Sequence, residues 1–195
     1  PTSTSTISIK STNAGLVKIK GTGTNAQGAA GVWLGGPPLT ASTTLTFTLD
    51  STNGQVGVEG LGVGAGGFGV GLGFADSAPA NITKAKIGEL SAGVTVTGTG
   101  SSSGKGTSAN PSAGLYIAGY QTIGGGSAPV TINTNSYYAF GALATAQLPL
   151  TLGTSGAFSL LPIGSDFANQ FAFDKSTSAA NIPIELSLTT SSTPT

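Results

Sequence analysis

The chain contains no cysteine, methionine, histidine or arginine. Without cysteine there is neither a disulfide framework nor thiolate chemistry, and without histidine there is no imidazole base and no ordinary zinc ligand set. Losing Cys and Met also removes the readily oxidised side chains, which suits an exposed, long-lived or hot environment. Charge is nearly as scarce. Only 7% of residues are charged, against about a quarter in an average soluble protein. Seven lysines balance seven carboxylates, and no side chain with an ordinary pKa titrates between about pH 5 and 9. Phosphate contact needs clustered cations, so nucleic-acid binding is set aside. No apolar run is fit to cross a membrane as a helix, and aromatics at 7% are too few for the girdles of an outer-membrane barrel.

What fills the chain is glycine, hydroxyl and aliphatic. There are 32 glycines, 51 serines and threonines together, and 38% hydrophobic residues. At 195 residues a single domain with a real core is expected, and alternating β-branched runs argue for order and for an all-β fold. The stretch from Gly54 to Phe74, GQVGVEGLGVGAGGFGVGLGF, stands out. Glycines fall at every second position from Gly60 to Gly66 and again from Gly67 to Gly73, with Leu61, Val63, Ala65, Phe68, Val70, Leu72 and Phe74 between or after them. In a strand this makes one face bare backbone and the other an apolar ridge, open to close approach by another backbone. A helix would lose about 0.8–1 kcal/mol at each glycine. The Gly66-Gly67 doublet changes the phase, as a hairpin turn or a bulge, and the hairpin is the favoured reading.

Elsewhere Ile7 and Ile9 alternate with Ser8 and Lys10, and Val17 and Ile19 with Lys18 and Lys20; the two runs form a first hairpin, or else the first is an extended arm. Thr43–Leu49 is the cleanest strand, with Leu45, Phe47 and Leu49 opposed to Thr44, Thr46 and Thr48. Ile82–Leu90 reads as strand or short helix, Val94–Thr97 as strand, and Gly98–Pro111 as a small polar loop. Leu115–Ile123 and Ala128–Thr134 flank Gly124–Gly126 as a hairpin signal. Ser165–Phe173 allows one helical turn, and Asn181–Thr189 alternates strictly, with Pro183 marking an edge or terminal strand. No fixed-period repeat stands out. The expected fold is a β-sandwich or jelly roll of about ten short strands. Its expected organisation is an extended N-terminal arm over residues 1–10 and a single domain over 11–195.

No catalytic set assembles. The carboxylates Asp50, Glu59, Asp76, Glu89, Asp166, Asp174 and Glu185 are scattered, with no calcium-loop spacing, and Trp33 is the sole tryptophan for any sugar cleft. The expectation is a protein that is not an enzyme and carries no cofactor or metal. Asn81-Ile-Thr83 is an N-glycosylation sequon, whereas Asn110 precedes proline and is not. Glu59, alone among glycines and aliphatics, is a solvent-facing residue. The sharper alternative is a carboxyl assisting a Lys–Asn isopeptide bond from Lys18 or Lys20 to Asn181.

A start at Pro1 without Met or an apolar leader fits a processed, secreted product or a chain trimmed from a longer one. These features point to a structural role outside the cell, with copies of the chain as partners and glycans as a second class of partner. One copy's Thr6, Ile7, Ser8, Ile9 and Lys10 would then add as a strand to the next, near an acceptor region of Leu61, Val63, Phe68, Val70 and Leu72. The alternatives are a viral-coat or surface-layer jelly roll, or a carbohydrate- or ice-binding module using threonine rows such as Thr44, Thr46 and Thr48. The Ser/Thr/Gly richness, the missing Cys and the Thr2–Lys10 segment TSTSTISIK resemble the subunits of archaeal surface filaments built by donor-strand exchange, the threads and bundling pili, and related bacterial biofilm-matrix fibres. That resemblance implies a sandwich subunit whose incomplete sheet a neighbour completes, with glycans, high stability and no enzymatic activity. A single sequon is fewer than a heavily glycosylated thread carries, which leaves the subfamily open.

Overall fold

A computed structural model describes residues 3–24, 29–35, 43–75, 82–102, 112–117, 121–126, 128–143, 150–152, 158–162, 171–174 and 186–188. Among them there is no helix. The chain winds as a coil with three flat sides. The first turn of the coil is β1 (Ser3–Ser11), β2 (Val17–Gly23) and β3 (Val32–Leu34); the second is β4 (Thr43–Ser51), β5 (Gln55–Gly62) and β6 (Val70–Leu72), followed by the short β7 (Phe74–Ala75). The third turn comprises β8 (Ile82–Ile87), β9 (Gly93–Thr99) and β10 (Ala113–Ile117), and the fourth β11 (Gln121–Ile123), β12 (Val130–Asn135) and β13 (Tyr138–Leu143). The fifth contributes β14 (Leu150–Leu152), β15 (Phe158–Pro162) and β16 (Phe171–Asp174), and the sixth β17 (Leu186–Leu188).

Like strands of successive turns stack into three sheets. The first side runs β1-β4-β8-β11-β14-β17, the second β2-β5-β9-β12-β15 and the third β3-β6-β10-β13-β16. Among the described residues every pairing is parallel except that of β7 with β8. This is a parallel β-solenoid, not the expected two-sheet sandwich. The hairpins anticipated at Asn13–Gly15, Gly66-Gly67 and Gly124–Gly126 are corners, each carrying the chain from one side to the next. The physical reason is plain. Apolar/polar alternation usually marks antiparallel sheets with one wet face, because ordinary parallel sheets are covered on both faces. A solenoid also leaves one face wet, so its parallel strands carry the same signature. β5 shows it, its residues alternating between buried and more exposed along the strand.

The core is a set of side-chain columns running along the coil axis. On the first side Ile9, Leu49, Ile87, Ile123, Leu152 and Leu188 share one register position. On the second, Val17, Val56, Val94 and Val130 form one column and Ile19, Val58, Val96 and Ile132 another. On the third, Val32, Val70 and Leu115 stack. Leu49, Val70, Ile87, Val96, Leu115, Ile123, Val130 and Ile132 are fully buried, which at about 1.5–3 kcal/mol per side chain makes these columns the main source of stability.

The glycine-rich stretch has its place in this scheme. Gly21, Gly60 and Gly98 form a column on the second side, where the chain turns toward the third. A Cβ on Gly60 would collide with the Gly69 carbonyl, and one on Gly98 with the Gly114 carbonyl. The two sides therefore meet backbone to backbone along this seam. The bare face expected from the sequence is used within the chain's own coil. In the fourth turn the column changes to Thr134, which is 1% exposed and whose hydroxyl has no hydrogen-bond partner among the described residues.

Candidate functional site: the uncovered edge of the first turn

β1, β2 and β3 each terminate their sheet, all at the same end of the coil. Each has a strand on one flank only among the described residues, so this end presents backbone donors and acceptors with no ladder partner, a standing template for strand pairing. Ile7 and Ile9 belong to the inward set of β1, yet they are 49% and 44% exposed, while Leu49 in the Ile9 column is at 0%. Val17 and Ile19 are half-buried against the core. Thr6, Ser8 and Lys10 alternate with the two isoleucines and are exposed. The expected donor strand is thus the first strand of the coil, paired over nine positions with β4 of its own chain.

The expected acceptor residues lie elsewhere. Val70 and Leu72 are buried in the third side of the second turn, and Phe68 is 7% exposed at the preceding corner, where Val63 also sits. Leu61 ends the outward set of β5 and is largely exposed. These residues and the Thr6–Lys10 strand occupy different sides of the coil. Asn81, and with it the sequon, lies outside the described residues, as does Asn181.

Glu59 is on the outer face, bonded by Lys18 Nζ at 2.6 Å and Lys20 Nζ at 2.7 Å. Hydrogen bonds from Lys18 and then Lys20 hold its carboxyl down to about 2. A carboxylate so held is an anion that clamps the first turn to the second; the solvent-facing reading accounts for it. Asp50 is buried and accepts hydrogen bonds from the Ser51 amide at 2.9 Å and the Leu90 amide at 3.1 Å, fixing a corner of the coil. An open depression of about 440 Å³ lies at that corner, lined in part by Asn53, Glu89 and Ser91. Glu89 is bonded to Lys86 at 3.0 Å and the Ser91 hydroxyl donates to the Gly88 carbonyl, so the depression assembles no nucleophile with a base. Among the described residues no three carboxylates gather into a metal-holding group.

One feature of the outer face was not legible beforehand. Trp33 and Tyr116 project from the outer face of the third side with Phe68 between them, the Trp33–Phe68 rings edge to face at 5.7 Å and the Phe68–Tyr116 rings stacked at 5.0 Å. Gly71 leaves the space that the Phe68 ring fills. On the first side, Thr4, Thr6 and Ser8 of β1 lie in register with Thr44, Thr46 and Thr48 of β4, extending the expected threonine row into a small hydroxyl grid of which Thr48 is buried.

No protein-family model, no curated protein and no solved structure matches this chain. Its function is therefore argued from the geometry alone.

Proposed function

We propose that this chain is the structural subunit of an extracellular filament, assembled head to tail by strand addition and serving adhesion, cell–cell contact or a biofilm matrix. The observation that carries the reading is the first turn's edge, where Ile7 and Ile9 stand half-exposed in line with fully buried core columns. A neighbouring copy that extends the ladder covers both the apolar residues and the backbone. Such a joint is main-chain pairing with side-chain pockets in alternation, the chemistry of β-strand addition. A head-to-tail contact of this kind does not close on itself, so it propagates as a fibre. The incomplete sheet that a neighbour completes is here the terminal turn of a solenoid. Ile9→Asp tests the reading. The site is exposed enough for a single subunit to tolerate a carboxylate, whereas burial in a joint without a partner is costly. Negative-stain images should show filaments for the unmodified chain and dispersed subunits for the variant. Dispersed particles from both end the proposal.

A second reading rests on the hydroxyl grid of β1 and β4, which sets threonines about 4.8 Å apart across strands and about 6.7 Å apart along them. Such a flat periodic surface suits a repetitive solid such as ice. Thermal hysteresis that vanishes in a Thr44→Lys/Thr46→Lys variant supports it, and its absence from the unmodified chain removes it.

A further inference from the structure

We propose that Asn53 is a spontaneous modification site gated by the coil: it stays an amide while the corner between β4 and β5 is closed, and converts to aspartate and isoaspartate when that corner opens. The inference stands apart from the filament reading. It starts from the residues of the corner. Of the chain's asparagines, Asn53 alone is followed by glycine. With no side chain beside it, the Gly54 nitrogen is unscreened, which is what lets such a pair cyclise. That nitrogen attacks Cγ of Asn53, the new C–N bond closes a five-membered succinimide, and the side-chain nitrogen leaves as ammonia, carrying the amide proton. Water then opens the ring at one of its two carbonyls. One opening gives aspartate, the other isoaspartate, and neither needs an oxidant or a cofactor.

The fold calls for both residues. Asn53 has φ 57°, the one non-glycine residue in the left-handed region among the described residues, and asparagine tolerates that region better than most side chains. A Cβ on Gly54 would run into the Gly15 carbonyl and Ser51 Oγ. The coil thus sets a readily cyclised pair at a crowded corner, and the same geometry keeps it inert. In the left-handed region ψ is about +30 to +60°, which puts the Gly54 nitrogen on the far side of the Cα–C bond from Cβ, out of reach of Cγ. Attack requires a large rotation about that bond. Three hydrogen bonds oppose it: the Asn53 amide donates to the Leu90 carbonyl at 3.1 Å, the Gly54 amide to the Ser51 carbonyl at 3.2 Å, and the Ala92 amide to the Gly54 carbonyl at 2.7 Å. Two of the three reach the third turn of the coil, so the reaction waits on the second turn parting from it. Such local openings occur at free energies below that of global unfolding.

Conversion makes the opening permanent. Isoaspartate routes the backbone through Cβ and Cγ, adding one atom to the corner, so the bonds to Leu90 and Ala92 cannot both re-form at one strand spacing. Either product also brings a carboxylate to the depression that Glu89 lines. Asn53 is exposed, and water for the second step is at hand. A chain without cysteine or methionine holds little oxidative record of its age. This corner supplies a record of another kind, marking each copy whose second turn has come away from its third.

Asp50 and Glu59 are consecutive carboxylates, so cleavage after acidic residues releases Ser51–Glu59, which holds Asn53 and no other asparagine. The protein is incubated in mildly alkaline buffer, with and without unfolding urea, and that peptide is followed by its mass gain and by labelling with an isoaspartate methyltransferase. Conversion should be about tenfold or more faster in urea than in the folded chain. Ile87→Ala, which weakens the buried core of the third turn, should speed conversion in buffer and leave the rate in urea unchanged. Asn53→Gly, which accepts the positive φ, should fold and show no conversion, separating Asn53 from Gln55 in the same peptide. Equal rates with and without urea overturn the gate, as does a folded-state rate that Ile87→Ala leaves unmoved. A peptide that stays unconverted in urea overturns the site itself. Asn53→Asp isolates the added backbone atom: it should melt close to the unmodified protein, whereas isoaspartate-bearing chains returned from urea should melt lower. Equal melting of the two overturns the claim that conversion keeps the corner from closing.

Discussion

Ile9 and Leu49 occupy the same column of the same sheet, yet one is 44% exposed and the other fully buried. Their chemistry is nearly the same, and so is their position within the strand. What differs is the number of neighbouring turns: among the described residues Leu49 has a strand on either flank, Ile9 on one. In a solenoid each turn buries its apolar residues only against the turns beside it, so stability is close to a sum of nearest-neighbour terms. An end turn is then an unfinished piece of core. The comparison teaches that burial here is a property of stacking: the same inward aliphatic is buried or half-exposed according to how many turns flank it.

The contrast is broken most severely at the glycine seam. Gly98→Val sets a branched side chain against the Gly114 carbonyl, where backbone on both sides has nowhere to move. Loss of the cooperative unfolding transition, followed by circular dichroism, is the expected result. Ile87→Ala, inside the column, should cost about 2–5 kcal/mol in urea unfolding. Ile9→Ala, at its open end, should cost about 1 kcal/mol or less in dilute protein, since half of its surface already faces water. Equal losses for the two would refute the stacking argument. Thr134→Val should stabilise by about 1 kcal/mol, because the buried hydroxyl it removes has no partner among the described residues. The smallest effect is at Glu59. Its carboxyl is held down to about 2 from an ordinary 4.5, so its contribution is complete above pH 4.5 and fades as the pH falls through about 2. Glu59→Gln should melt slightly below the unmodified chain at neutral pH, and that small gap, read from melting temperatures, should close as the pH falls from 4.5 to 2.

Much of the local structure was legible. Thr43–Leu49 lies within β4, Val17 and Ile19 face inward while Lys18 and Lys20 face out, and Ile82–Ile87 resolves to strand. The pairing partners were not, because each strand meets a segment a whole turn away. The column through Ile7, Phe47, Ala85, Gln121, Leu150 and Leu186 advances by 40, 38, 36, 29 and 36 residues, which blurs any fixed period. A subtler signal was nonetheless present. Val17–Gly21, Val56–Gly60, Val94–Gly98 and Val130–Thr134 read VKIKG, VGVEG, VTVTG and VTINT, one motif recurring on one side of the coil. The uncovered edge was half legible: Thr6–Lys10 stood out as a strand in search of a partner, but β2 and β3, which share that edge, did not.

The order of the strands also fixes how the molecule answers to force. β1 and β17 lie at opposite ends of the first side, so tension applied between them runs along the axis, parallel to the ladder hydrogen bonds. Those bonds are then opened one strand at a time, like a zip, and are not sheared together. Each released turn of 29 to 40 residues pays out roughly 100–140 Å of slack chain. Stretched in an optical trap, a single subunit should lengthen in a staircase of such steps, with no two steps obliged to match.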